Sequence, residues 1–130
     1  MEVMSSFFDN RPRFSPETYA RIVLSELGIS SFPIDVRSIV EKRGIIYAES
    51  DFNGINFDGA LRRQNGKALV VINSGISYPG RKNFTIAHEL GHFEIKGHNE
   101  REYFCTYKDI NVFKPEKIYE YEANQFAAEL

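Results

Sequence analysis

The chain has no tryptophan, two methionines, one cysteine and only three histidines in 130 residues. A single thiol cannot close an internal disulfide, which excludes a small disulfide-stapled scaffold. Long hydrophobic runs are missing too. The longest unbroken apolar stretch, residues 68–72, is far short of the ~20 residues a bilayer span requires. The opening MEVMSSFFDN has neither a basic n-region nor an apolar h-region and does not read as a signal peptide, so a cytoplasmic protein without membrane attachment is expected. Neither sign of charge dominates: 16 Lys+Arg face 18 Asp+Glu, spread evenly, for a net charge of −2. A nucleic-acid binder would carry a basic face or tail, so direct nucleic-acid binding is not expected. What the chain does have is an apolar fraction of 42% in 15.0 kDa, rich in Phe and Tyr, enough for one ordinary core and one domain.

Local signals predict an α+β order. Ser15-Pro16-Glu17 supplies an N-cap, a proline at the first helical position and an acid in the first turn. Tyr19, Ile22, Val23 and Leu27 follow at helical spacing, and Gly28 stops the helix. A second helix is predicted over 35–43, with Val36, Ile39 and Val40 inward and Gly44 as terminator. Strands are predicted over 44–48, 59–63 and 67–73, the last two joined by Asn65-Gly66, a strong hairpin signal, so a small antiparallel sheet is expected. A third helix should span 81–95. Residues 97–115 read as an irregular connection, and a final helix runs from Glu116 with Ile118, Tyr119, Ala123, Phe126 and Ala127 as its buried stripe. Residues 1–14 read as a flexible arm and 15–130 as one domain.

Two of the three scarce histidines stand in His88-Glu89-Leu90-Gly91-His92, inside the predicted third helix. At i and i+4 they share one helix face, where both imidazoles can ligate one metal ion. Glu89 is rotated off that face, beside the metal, where a general base is needed to take a proton from water. A shuffled chain of this composition shows the pattern roughly once in 150. Gly91 in mid-helix costs about 1 kcal/mol relative to Ala, which points to a close approach of backbone or substrate.

A catalytic zinc site generally takes a third protein ligand. His98, six residues after His92, reproduces the metzincin spacing, but Ile95 replaces the glycine of that motif, and Met1 and Met4 cannot form a downstream Met-turn. The other source is an acid on the last helix. Glu120 is favoured over Glu122 because Asn124 follows it at i+4, on the same face, where its amide oxygen can accept an imidazole N–H and orient the ring. A His2Glu set suits zinc and does not exclude manganese or iron. Cys105, with no His or Cys at metal spacing around it, reads as an inert thiol.

Asn73, Phe84-Thr85-Ile86-Ala87-His88-Glu89-Leu90-Gly91-His92, and Glu120-Tyr121-Glu122-Ala123-Asn124-Gln125-Phe126-Ala127-Ala128-Glu129-Leu130 together resemble the ImmA/IrrE family of bacterial and phage metallopeptidases, over residues 68–130. The resemblance implies a zincin-like α+β fold of the gluzincin type. It implies zinc held by His88, His92 and Glu120, and Glu89 as the catalytic acid/base. It also implies a typical role, the cleavage of a helix-turn-helix repressor in mobile-element induction or a stress response. Two features depart from the pattern. Asn83 stands where the family often has a basic residue. The family pattern also continues past the position of Leu130, so the chain reads as a catalytic domain cut at or slightly inside its boundary.

An oxyanion formed during peptide hydrolysis needs a donor besides the metal, and His98, Tyr103 and Tyr107 are the candidates in the connecting segment. The strand at 67–73 is either a sheet edge that accepts an extended substrate or an inner strand whose Leu69 and Val71 serve the core. A contrasting function is a metal-binding regulatory or toxin-antitoxin module that recognises a transcription factor without hydrolysing it, for which Glu89 would be dispensable.

Overall fold

The computed structural model describes residues 13–51, 57–106 and 117–130. Helix α1 (Pro16–Glu26) begins where Ser15 Oγ accepts the Thr18 N–H at 3.2 Å, with Pro16 presetting the first helical φ. Asp35 caps helix α2 (Val36–Lys42) in the same way, accepting from Ser38 N–H at 3.2 Å. Tyr19, Ala20 and Val23 of α1 and Val36, Ile39 and Val40 of α2 are buried in one core.

Strands β1 (Ile46–Ser50), β2 (Gly59–Gln64) and β3 (Lys67–Asn73) follow. Asn65 and Gly66 take φ of 54° and 75°, the left-handed pair that a tight hairpin requires. β1 starts two residues later than expected because Ile45 is still tied to the end of α2, its N–H donating to Val40 O at 3.1 Å. A fourth strand, β4 (Glu102–Cys105), lies within the stretch expected to be irregular. Its four residues alternate exposed and buried, too short a pattern to stand out among the surrounding charges and aromatics.

The strand order is β1-β3-β2-β4. The α+β class holds, but the sheet is mixed rather than wholly antiparallel. β1 runs parallel to β3 because the connection between β1 and β2 skips a strand position, so the β2–β3 hairpin lays β3 between β2 and β1. Strand β3 is therefore not an edge. Nor do Leu69 and Val71 serve the core: Ala68, Val70 and Ile72 are buried, the opposite parity. β4 pairs antiparallel with the other side of β2, with Cys105 opposite Gly59, and among the described residues it forms one edge of the sheet, with β1 at the other.

Helix α3 (Pro79–Glu94) runs through the middle of the molecule, touching β2, β3 and the other three helices. Every residue from Thr85 to Glu94 is buried. The last helix, α4 (Ile118–Glu129), packs across α3 and α1. It buries Ala123, Phe126 and Ala127 as expected, whereas Ile118 and Tyr119 are exposed. Among the described residues no helix is long and apolar enough to cross a membrane. The arm read at 1–14 falls outside the described residues except for Arg13 and Phe14.

Candidate metal centre

A helix buried on all sides has to supply each of its ionisable side chains with a partner. On α3 there are four such groups, His88, Glu89, His92 and Glu94, none more than 1% exposed. Glu94 is structural: Arg43 Nε donates to its Oε2 at 2.7 Å, and Arg43 also reaches Glu26 at 2.6 Å. The other three face a single site between α3, α4 and β4.

The geometry of that site depends on two glycines. A Cβ at Gly91 would stand 3.2 Å from Ala123 Cα and 3.3 Å from Ala123 O, so the glycine lets the α4 backbone lie against α3. On α4, Glu120, one turn before Ala123, and Asn124, the residue after it, then reach His88. Asn124 Oδ1 stands 2.8 Å from His88 Nδ1, and Glu120 Oε1 stands 2.8 Å from His88 Nε2 and 3.2 Å from His92 Nε2. The second glycine is Gly59 of β2. A Cβ there would meet Glu89 Oε2 at 3.1 Å and Thr85 Cγ2 at 3.0 Å, so its absence makes room for the buried Glu89 carboxylate.

Cys105 completes the cluster from β4. Its Sγ lies 3.4 Å from Glu120 Oε1 and also interacts with the Glu89 carboxylate. The ligand atoms of His88, His92, Cys105 and Glu120 all lie within 4.8 Å of one another, a group able to hold a metal ion. Two imidazoles, a carboxylate and a thiol form the nitrogen, oxygen and sulfur set that zinc takes in proteins. Sequence spacing could not place Cys105 here, because the strand pairing opposite Gly59 brings it in from outside any local motif.

The third histidine backs the second. His98 Nδ1 is 3.0 Å from His92 Nδ1, and His98 Nε2 is 2.8 Å from Glu122 Oε1. Arg13 in turn donates to both oxygens of Glu122, at 2.8 and 3.0 Å, and to the Lys96 carbonyl. Tyr103 stacks on the His92 ring, with centroids 3.9 Å apart and planes 9° from parallel, while its hydroxyl accepts the Glu100 N–H at 3.2 Å. His98 and Tyr103 are thus both engaged with His92, and Tyr107 lies outside the described residues. Glu122 faces His98 rather than solvent. Asn73 holds the turn after β3, its amide donating to Phe57 O and accepting from Gly75 N–H.

Burial opposes a charge on His88, but the hydrogen bond it donates to Glu120 and the charges of Glu89 and Glu120 outweigh it and hold its pKa above the ordinary value. Burial instead pushes His92 down to about 3, against the pull of Glu120, and His98 down to about 4. Glu120 is buried as well, yet hydrogen bonds from the two imidazoles carry it below the usual carboxylate range. Burial, then the neighbouring Glu89 and Glu120 charges, push the Cys105 thiol well up. Without a metal, His88 is hydrogen-bonded to Glu120, beside two imidazoles and a thiol that burial holds neutral.

The central and last helices of an α+β fold consistent with a zincin-like one thus converge on a buried cluster able to hold a metal ion, an arrangement that suits the class of metallopeptidases. Residues 40–130 match the model of the IrrE N-terminal-like domain, Peptidase_M78, and the chain belongs to that family. Comparison with curated proteins finds no match.

Proposed function

We propose that the chain is a zinc-dependent endopeptidase of the gluzincin type that cleaves a helix-turn-helix transcriptional repressor in the cytoplasm. In this reading His88, His92 and Glu120 hold the metal and Glu89 is the general base and acid. The observation that carries it is the meeting of both Nε2 atoms at one oxygen of Glu120, with the Glu89 carboxylate buried on the next position of the same helix. Bound zinc supplies a Lewis acid that polarises a carbonyl and acidifies water. The chain's own residues do the rest. Glu89 takes the proton from the attacking water and hands it to the leaving amine. Asn124 accepts the His88 Nδ1–H, which leaves Nε2 free to ligate. His98 accepts the His92 Nδ1–H and donates Nε2–H to Glu122, an arrangement that would leave the His92 Nε2 to the metal as well. Tyr103 and His98 are positioning residues for His92 in this scheme. An extended peptide would add to the β4 edge, next to the cluster, rather than to β3. Zinc is favoured over manganese or iron because a thiol, a soft donor, borders the site.

The test uses a helix-turn-helix repressor encoded beside this chain, incubated with wild type and Glu89→Gln in the presence of zinc. Cleavage by wild type and a loss of about 100- to 10,000-fold in the variant, with metal content unchanged, is the expected result. A repressor that is bound but left intact by both proteins would refute proteolysis and favour the non-hydrolytic regulatory module. That second reading draws on Cys105, since sites closed by four protein ligands are ordinarily structural.

A further inference from the structure

A hydrolytic zinc site keeps its fourth position open for water. Here a cysteine shares the cluster that would surround such an ion. Cys105 is fully buried, shares the 4.8 Å cluster with both histidines and Glu120, and adjoins the carboxylate of Glu89. It is also firmly held. Cys105 O accepts the Asp58 N–H at 2.8 Å, and Asp58 is anchored by Arg81 of α3 at 2.7 Å, so β4 is tied to the same helix that carries the histidines. The thiol reaches the cluster from the β4 side, whereas Glu120 reaches it from α4.

Resting on the metal-centre reading above, we propose that Cys105 is a fourth metal ligand, a thiolate cap that keeps the resting site closed and must leave before hydrolysis. Capping breaks the S–H bond and forms a sulfur–metal bond, with the proton passing to the adjoining Glu89 carboxylate. Uncapping reverses both: the sulfur–metal bond breaks, the proton returns from Glu89 to sulfur, and water takes the released position. No electron changes hands and no co-reactant is consumed. The cap occupies the water's position and the general base together, so a capped site is blocked twice. Because β4 is also the edge proposed to receive the substrate, a strand docking there would pull directly on the element that bears the cap.

The first test needs no variant. X-ray absorption of the zinc-loaded wild-type chain should show one sulfur neighbour at about 2.3 Å beside nitrogen and oxygen neighbours. Cobalt-loaded wild type should likewise show a sulfur-to-cobalt charge-transfer band in the near ultraviolet that Cys105→Ser abolishes while the visible cobalt bands persist. Zinc-loaded Cys105→Ser and Cys105→Ala should cleave unfolded casein several-fold faster than wild type, their folding checked by circular dichroism. Metal bound with no sulfur neighbour would overturn ligation. A sulfur neighbour without faster cleavage in either folded variant would overturn the cap. Loss of the metal-centre reading itself looks different: cobalt or zinc would then bind equally well to His88→Ala.

Discussion

Each imidazole of the His88–His92 pair has one nitrogen turned to the cluster and the other tied to a neutral partner, Asn124 behind His88 and His98 behind His92. Neutral partners fix ring orientation without adding the negative charge that an aspartate would bring, so binding of a metal in the proposed site would rest on geometry more than on charge. Asn124→Ala and His98→Ala are each expected to weaken zinc affinity by about 10- to 100-fold, read by competition with a chelator. An unchanged affinity in either would mean that its histidine is oriented by packing alone. Gly59 acts at the same scale on a different residue. Gly59→Ala would drive a methyl into Thr85 and the Glu89 carboxylate, so peptidase activity should fall sharply while zinc content stays at the wild-type level. Loss of zinc in parallel would show that the strand, not Glu89 alone, had moved.

Among the elements, the contact of α3 with α4 decides whether a site exists. In an exposed helix Gly91→Ala would gain about 1 kcal/mol. Here the new methyl meets Ala123 backbone at 3.2 and 3.3 Å, and backbone has nowhere to yield. The expected outcome is a less stable chain with weaker zinc binding, measured by urea denaturation and chelator competition; a more stabilised variant would refute the close approach. Gly91 is legible from sequence alone because a mid-helix glycine is costly unless something needs its space. Caps, the hairpin and the histidine pair are legible for the same reason, each being a local pattern with a local cause. Cys105 and the His98–Glu122–Arg13 series are not, since they are joined only by strand pairing and helix packing across long separations. The parity of β3 is hidden because an unbroken run of Ala, Leu, Val, Val and Ile offers apolar residues to both faces equally.

For the molecule as a whole, the buried histidines make the metal-free chain sensitive to mild acid. The folded state holds His92 and His98 neutral down to about 3 and 4, whereas the unfolded chain takes up their protons near pH 6.5. The unfolded state therefore binds more protons below pH 6.5, and stability present above that pH is lost as it falls toward 4, by up to about 1.4 kcal/mol per histidine per pH unit. His88, raised by its partners, stays protonated throughout this window and does not offset the loss. The urea midpoint of the metal-free chain should be lower at pH 5 than at pH 7, and equal midpoints would contradict the neutral pair. Bound metal should steepen this dependence between pH 5 and 7, because ligation also keeps His88 unprotonated in the folded chain while the unfolded chain takes up that proton.

The convergence on Glu120 has one more consequence. His88 and Glu120 lie 32 residues apart, on helices joined by a long connection, so a metal held by both is a clasp across that loop as much as a reagent. Closing such a loop removes freedom from the open chain, and releasing the ion returns it, leaving α4 to the packing of Ala123, Phe126 and Ala127 and to its hydrogen bonds with His88 and His98. The same ion would then govern both catalysis and the attachment of the last helix. Scarcity of metal would then weaken the hold on α4 together with the site, so that one ion would serve as structural tie and reagent at once.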